Sequence, residues 1–435
     1  MSAKKGEKMK ITITSDTHFG DLNSQLATLD ASGQPQLGNK YPTFRDAIGK
    51  NNDYLVLLGD IIDVAVEDYK VAFDIFRFFL NQIYQDGIAK KILYIPGNHD
   101  YDIWHTIEYQ TNIINPIIHR PSKPTSLFRM SVPAVLDDRA SPKYAFFLGG
   151  VTRRPDSEEP YGHLFLDFLS DEKLRFSIGF PNAYVATRQN ETILLTHGQY
   201  FQVFWSLVSE WAPRLFQSDL KVNIPLIMKN LVQLNFPVSQ LSSSGVGQAG
   251  PLTDVTRQIQ FDFKNNKPDR LKKYLDSLQN EICDNVLRTN WYNPFDWLKK
   301  GAISLIKKSI LKGIQETPHA SPREDETWEY RPETLQKMSS YYLSSCEEIK
   351  SLNAEYGMNI PNRPSMIIFG HSHRPIALQS QKHPILQPFP GDPFQLPVYN
   401  TGGWLERQIG GKKIFSGIEL FIYETDQPLK SVTIS

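Results

Sequence analysis

Five short motifs place aspartate, asparagine and histidine side chains directly after apolar, strand-like runs. In chain order they read SDTHFG, GDIID, GNHD, THG and GHSH. Imidazole, carboxylate and amide groups all bind metals, and a set that mixes them without thiolates suits manganese, iron, zinc, cobalt or nickel better than magnesium or calcium. The types and order of these residues therefore predict a metal centre.

Two of the motifs carry potential ligands two positions apart, Asp16 with His18 and His371 with His373. In extended backbone, residues i and i+2 point to the same side, so each pair is expected to aim at one point. Taken singly, a DxH sequence also suits a capped turn, and a loop histidine such as His197 needs no function. The occurrence of five such motifs in order is what favours metal binding.

The elements that must position these motifs follow one pattern. β-branched or apolar runs end in polar, glycine-containing loops within residues 10–20, 53–63, 90–100, 191–199, 365–375 and 396–404, and we expect buried strands whose ends converge on one edge. Between the second and third runs, residues 66–87 have helical spacing and end at Gly87. This alternation predicts an α/β fold.

Composition narrows the class of protein further. A chain of 435 residues is expected to form two or three units, or one large domain with an insertion. Its 47 basic and 47 acidic residues create no overall field that would attract nucleic acid. Cys283 and Cys346 form no CxxC pair, so a reducing compartment is expected. Without a signal peptide or an apolar run that could span a bilayer, the sequence predicts a soluble, cytoplasmic protein.

The middle of the chain has a different pattern of apolar and polar residues. Strand-like runs give way to amphipathic helical segments, and we predict a helical insertion over 200–364 between core segments 1–199 and 365–435. Apolar residues at helical spacing from Phe201 to Trp211 could line a groove for a lipid-linked substrate. Lysines on residues 291–314 suggest peripheral contact with an anionic membrane. The alternative is that these helices bury their apolar faces in their own protein.

The ordered motifs resemble those of the calcineurin-like metallophosphoesterase superfamily, over roughly residues 10–199 and 365–435. The resemblance implies a four-layer α/β/β/α sandwich with a dinuclear metal site at the strand ends. It also implies hydrolysis of a phosphoester or pyrophosphate by a metal-bridging hydroxide. Members of the superfamily with a helical cap that cleave lipid pyrophosphates carry GNRD at the third motif, whereas this chain carries GNHD.

The resemblance also implies a role for individual residues. Two divalent cations, with manganese favoured, would be bound by Asp16, His18 and His373 at one position and by Asn98, His197 and His371 at the other, with Asp60 bridging them. His99 would donate a proton to the leaving group, with Asp100 orienting its ring, and Asp63 would orient a metal ligand.

Two classes of function are compatible with this pattern. The first is a metal-dependent phosphoesterase whose helical cap selects the substrate. The second is a non-catalytic, metal-binding scaffold or interaction protein with the same fold. A scaffold would not require His99 and every ligand position, so their presence favours the enzyme. A nucleic-acid substrate is disfavoured because the lysines of 291–314 alternate with aliphatic residues and do not line a broad groove.

Overall fold

The computed structural model describes residues 8–64, 66–118, 131–139, 144–146, 168–169, 173–202, 205–206, 209, 227–243, 328–409 and 412–435, with isolated positions between 272 and 304. The strands in this part of the chain, numbered in chain order, are β1 Lys10–Thr14, β2 Ala27–Leu29, β3 Pro35–Leu37, β4 Tyr54–Leu58, β5 Lys91–Ile95, β6 Ala134–Asp137, β7 Tyr144–Phe146, β8 Arg175–Ile178, β9 Asn182–Ala186, β10 Thr192–Thr196, β11 Met366–Phe369, β12 Ile385–Leu386, β13 Leu396–Asn400, β14 Glu406–Ile409, β15 Lys412–Phe415, β16 Ile418–Glu424 and β17 Lys430–Ile434.

The α-helices of the same part are α1 Tyr41–Ile48, α2 Tyr69–Gln85, α3 Tyr101–Tyr109, α4 Asn115–Ile118, α5 Met228–Ser243 and α6 Pro332–Tyr356. A π-helical turn, Gln110–Ile114, joins α3 to α4, and single 3₁₀ turns lie at Gln199–Phe201 and Trp328–Tyr330. None of the described helices combines the length and apolar character needed to cross a membrane.

Two large sheets form the centre of the fold. The first has the strand order β17-β16-β1-β4-β5-β8, and the second β12-β13-β11-β10-β9-β6-β7. In the first, β1, β4 and β5 are parallel neighbours, and in the second β10, β11 and β13 are parallel neighbours. Because the carboxyl ends of parallel strands lie at the same edge of a sheet, the loops that follow these six strands are brought together, as the sequence predicted.

Alternate residues of the strands fill the layer between the sheets. Ile11, Ile13 and Val56 of the first sheet belong to one buried apolar cluster with Leu195 and Ile368 of the second. The intervening residues of the strands point to the opposite faces, so each sheet presents a second apolar face outward. Sheet-to-sheet packing of this kind fixes the distance between the two sets of strand-end loops.

Helices cover the outer faces. On the first sheet, the ring of Phe76 in α2 lies 6.1 Å from that of Tyr94 in β5. On the second, the hydroxyl of Tyr341 in α6 lies 2.8 Å from that of Thr196 in β10. The fold is therefore a layered α/β sandwich with helices outside two facing sheets, as predicted.

The helix predicted over 66–87 is confirmed as α2. It starts after Asp68, whose carboxylate accepts the Val71 backbone N–H at 2.9 Å, and Gly87 follows its end with a φ of 64°. Three further strands, β15, β16 and β17, lie within residues 412–434.

The predicted division at 200 and 364 stays a prediction, because the described part of 200–364 is incomplete. It contains the helices α5 and α6, but most of residues 244–327 lies outside it, including nearly all of the lysine-rich segment 291–314. Of the predicted groove residues, Phe201 and Trp205 are buried, and Phe201 packs against Phe369 of β11. Phe204, Val208 and Trp211 lie outside the described residues.

Candidate metal centre

Five residues of the motifs adopt left-handed backbone conformations. The φ angles are 53° for Asp16, 48° for His18, 51° for Asp60, 68° for His371 and 54° for His373. Such angles are uncommon for residues other than glycine and cluster at functional sites, where the surrounding structure holds them. The extended backbone expected at Asp16–His18 and at His371–His373 is therefore wrong, although Asp16 and His18 still lie in one cluster.

This backbone geometry separates the two histidines of GHSH. His373 joins the pair from the first motif, its Nε2 lying 3.0 Å from His18 Nε2 and 3.1 Å from Asp16 Oδ1. His371 turns instead toward His197, with its Nδ1 3.2 Å from His197 Nε2. The two histidines thus belong to different clusters, the division that the family resemblance implied, and do not aim at one point.

The first cluster consists of Asp16, His18 and His373, all of them buried. The Asp63 carboxylate lies 2.7 Å from His18 Nδ1, so this nitrogen carries the proton and Nε2 keeps its lone pair. Asp16 accepts hydrogen bonds from the backbone N–H of His371 at 3.0 Å and from the Ser15 hydroxyl. These contacts aim one carboxylate oxygen and two ring nitrogens at a common point.

The second cluster consists of Asp60, His197 and His371, with Asn98 beside them. His197 Nδ1 donates to the Leu58 carbonyl at 3.0 Å, which leaves Nε2 facing the centre. That nitrogen lies 3.2 Å from Asp60 Oδ2 and 3.2 Å from Asn98 Oδ1. Acceptor atoms from a carboxylate, an amide and two rings therefore converge here.

Asp60 lies between the clusters. Its Oδ2, 3.2 Å from His197 Nε2 in the second cluster, is also 3.9 Å from His18 Nε2 in the first. Its Oδ1 accepts the backbone N–H of His99 at 2.8 Å, which fixes the carboxylate. A single carboxylate oxygen is thus close to both clusters.

The pKa values of the clustered histidines and Asp60 indicate that the centre favours a positive charge. Burial disfavours a charged His197, but Asp60 and Asp16 outweigh it and raise the His197 pKa to about 9. Burial lowers the pKa of His371 to about 3, and the charge of His197 adds to that effect, so His371 is a neutral ring. Burial also opposes ionisation of Asp60, yet His197 and His99 hold its pKa well below the usual range. A proton or a divalent cation beside Asp60 Oδ2 would satisfy these acceptors.

The donor set fits divalent cations. Ring nitrogens and carboxylate oxygens face one another at 3.0 to 3.2 Å in each cluster, and this is unfavourable unless a proton or a metal cation lies between them. The mixture of nitrogen and oxygen atoms suits the borderline metals named above.

Glycine makes the close approach of the loops possible. Gly59 has a φ of 83°, and a Cβ atom there would overlap the ring of His197. A Cβ atom on Gly97 would overlap the Asp60 carboxylate.

His99 lies at the edge of the centre. Its Nδ1 is 2.8 Å from Asp63 Oδ1, so Asp63 contacts His18 through one oxygen and His99 through the other. The His99 side chain is 13% exposed, whereas that of His18 is fully buried, so His99 is the one a substrate could reach. Burial lowers its pKa, but Asp63 and Asp60 outweigh this and raise it to about 10.

The carboxylate beside the His99 ring is therefore Asp63, where the sequence predicted Asp100. Asp100 turns toward the loop backbone, accepting from Ile61 N–H at 2.7 Å and from Gly97 N–H at 2.5 Å, and it also accepts from the Tyr94 hydroxyl. It contributes to the raised His99 pKa only through its charge, less than Asp63 and Asp60 do. Asp100 thus holds the GDIID and GNHD loops together.

Two residues that lie beside the proposed ligands were not among the residues predicted from the sequence. Ser15 contacts both Asp16 and the Thr401 hydroxyl, and the Trp328 ring centroid lies 6.4 Å from that of His371. Ser15 could have been noticed as the neighbour of Asp16. Trp328 could not, because more than 40 residues separate it from His371 in the chain.

Two facing sheets whose strand-end loops collect buried carboxylates and histidines define the α/β sandwich of a metallophosphoesterase. Residues 9–222, just under half of the chain, match the family model of calcineurin-like phosphoesterases, and this match supports the metallophosphoesterase superfamily. The match includes the first four motifs, and the structure adds His371 and His373 from outside it. No curated protein matches the chain at a significant level.

Proposed function

We propose that the chain is a metal-dependent phosphoesterase that hydrolyses a phosphoester or pyrophosphate bond. Asp16, His18 and His373 would hold one divalent cation, Asn98, His197 and His371 the other, and Asp60 would contact both. When bound, such a pair of cations activates a water molecule and neutralises charge on the phosphoryl group.

The observation that carries the proposal is the position of Asp60. Its Oδ2 is 3.2 Å from a nitrogen of one cluster and 3.9 Å from a nitrogen of the other. Two separate binding sites would not need a shared carboxylate, whereas an adjacent pair of cations does. Asn98 supplies an oxygen without a further negative charge, which favours binding of an anionic substrate.

The roles of the remaining residues follow from their contacts. His99 holds a proton at Nε2, on the side of the ring opposite the Nδ1 that Asp63 contacts, and would donate it to the departing oxygen of the substrate. Asp63 keeps His99 charged and also fixes the tautomer of His18. Asp100 would act as a positioning residue for the loops.

The finer features of the substrate rest on the sequence pattern. Selection by helices of 200–364, a lipid-linked substrate and contact of residues 291–314 with anionic membrane stay predictions. Co-sedimentation with anionic vesicles tests the last of these, and binding that does not weaken with salt would count against an electrostatic contact.

The proposal is tested with manganese-loaded protein and two chromogenic substrates, bis(p-nitrophenyl) phosphate and p-nitrophenyl phosphate. We expect hydrolysis of at least one, lost in Asp60→Asn together with part of the bound metal. Asp46→Asn is the matched control, because Asp46 lies on α1 with a side chain 69% exposed. Retention of full turnover and metal content in Asp60→Asn would contradict the dinuclear centre.

The scaffold alternative gives a different result. A scaffold should bind two cations but should not hydrolyse these substrates or pyrophosphate. Replacement of His99 should then leave its properties unchanged.

A further inference from the structure

A turn from the middle of the chain reaches the metal centre. Trp328 and Glu329 form part of the 3₁₀ turn that precedes α6, and the Trp328 ring packs edge-on near His371. The next residue, Glu329, is 1% exposed, and its Oε2 lies 3.7 Å from Nη1 of Arg374. Arg374 directly follows His373 in the chain. The guanidinium is thus held between two segments that both contact the proposed metal ligands.

Arg374 carries a positive charge that the other strand-end loop residues lack, apart from histidine. Within the six loop sequences at the strand ends (residues 15–20, 59–63, 96–100, 196–199, 370–375 and 400–404), it is the only lysine or arginine. Its side chain is 30% exposed, whereas the neighbouring His371 and His373 are almost completely buried. A guanidinium in such a place matches the oxygens of a phosphate group with paired N–H donors.

The contact with Glu329 orients the guanidinium group of Arg374. A separation of 3.7 Å exceeds hydrogen-bond length, so the pair is held by charge and does not form the tight, two-bond arrangement of arginine with carboxylate. The other oxygen, Glu329 Oε1, is buried and has no hydrogen-bond partner among the described residues. A buried carboxylate of this kind needs a nearby cation, which ties Arg374 to this position.

We propose that Arg374, positioned by Glu329, forms an anion subsite that binds the second negative charge of the substrate beside the reacting phosphorus. The inference rests on the proposed phosphoesterase function. Two substrate types carry that charge: a phosphomonoester dianion, and a pyrophosphate through its neighbouring phosphate. A phosphodiester, with one negative charge, would use the metal centre alone.

The test compares p-nitrophenyl phosphate with bis(p-nitrophenyl) phosphate, because both release the same leaving group. For Arg374→Met we expect kcat/KM to fall about 10- to 100-fold on the monoester and less than about 3-fold on the diester. Arg374→Lys keeps the charge but loses the paired donors, and should lie between wild type and Arg374→Met. Arg363→Met is the matched control, since Arg363 is 54% exposed and pairs with Asp392.

Glu329→Gln tests the positioning role. We expect a smaller loss in the same direction, seen mainly in KM for the monoester. Equal losses on monoester and diester would show that Glu329 only supports the fold of the turn. Release of phosphate from inorganic pyrophosphate separates the two substrate types: Arg374→Met should reduce most strongly the activity on the substrate whose charge it binds.

The outcomes separate the two proposals. If wild-type protein with two bound cations hydrolyses neither nitrophenyl substrate nor pyrophosphate, the proposed function fails. If it hydrolyses them but Arg374→Met leaves the monoester-to-diester ratio unchanged, only the anion subsite fails. Loss of bound metal in Arg374→Met would also overturn the subsite, because it would mean that Arg374 supports the His373 turn.

Discussion

Replacement of Asp63 by asparagine tests how one carboxylate serves two histidines. Its two oxygens lie 2.7 Å from His18 Nδ1 and 2.8 Å from His99 Nδ1. Asparagine has nearly the same shape, but it offers one acceptor and one NH₂ donor. Only one of the two rings can therefore keep its proton on Nδ1.

Either orientation of the amide removes at least one function. If the NH₂ group faces His18, that ring must accept at Nδ1, so its proton moves to Nε2 and blocks the lone pair that faces His373. If the NH₂ group faces His99, that ring must accept at Nδ1, and in both orientations it loses the carboxylate charge that contributes most to its raised pKa. Loss of a supporting carboxylate typically weakens metal affinity or activity by about 10- to 100-fold, or about 1.4 to 2.7 kcal/mol.

The assay is manganese affinity, by competition with a fluorescent chelator, together with hydrolysis of esters that have good and poor leaving groups. Asp63→Asn should lose manganese affinity or lose rate selectively on the poor leaving group. Asp46→Asn controls for the change in net charge. Asp63→Asn protein with wild-type affinity and wild-type rates on both esters would refute the shared role of this carboxylate.

Three further predictions address the proton donor, a buried acid and the metals. His99→Asn should keep both cations yet lose rate, most on esters with poor leaving groups, and equal losses on all esters would argue against proton donation. Burial raises the pKa of Glu108 to about 8. The contribution of the neutral Glu108 to the stability of the fold is therefore fully present below about pH 4.5 and is lost as pH rises toward 8. Glu108→Gln should therefore stabilise the fold by about 3 kcal/mol at pH 7 and much less at pH 5 in urea unfolding, and an equal effect at both would contradict this. Chelation of the metals should lower the melting temperature. If the free metal concentration was about 100 Kd before chelation, the free energy of unfolding should fall by about 2.7 kcal/mol. An unchanged melting temperature would count against cations in the centre.

Much of the core could be predicted because its signals are local. The strands that precede the ligand loops, β1, β4, β5, β10 and β11, are short runs rich in apolar or β-branched residues, and α2 carries both its N-cap and its terminal glycine in the sequence. The ligand types follow those strands directly. Their convergence then needs only the parallel arrangement of the strands within each sheet.

The errors arose where direction in space matters. Two residues spaced by two positions share a face only where the backbone is extended. Asp16 and His18 have positive φ angles, so the backbone there is not extended. Likewise, the neighbour of His99 in the chain is Asp100, yet the loop turns Asp100 toward backbone donors and leaves the ring to Asp63. The contact of Trp328 with His371 depends on where a long segment returns, which no local pattern encodes.

Neither sheet holds a complete cluster. The loops after β1, β4 and β5 of the first sheet carry Asp16, His18, Asp60 and Asn98, and the loops after β10 and β11 of the second carry His197, His371 and His373. The packing between the sheets must therefore set the distance between the ligands. A change in that layer should loosen the metal centre more than an equal change on the outer face of the same strand.

Strand β10 offers a matched pair for this test. Leu195 and Leu194 are both fully buried, but Leu195 lies in the cluster between the sheets and Leu194 in the one that packs against the helices. Each leucine-to-alanine change should cost about 2 to 5 kcal/mol in unfolding free energy. We expect Leu195→Ala alone to weaken manganese binding clearly, measured well below both melting temperatures. If Leu194→Ala weakened binding equally, local disturbance of the loop at His197 would explain the effect, and the packing between the sheets would not be what sets the geometry of the centre.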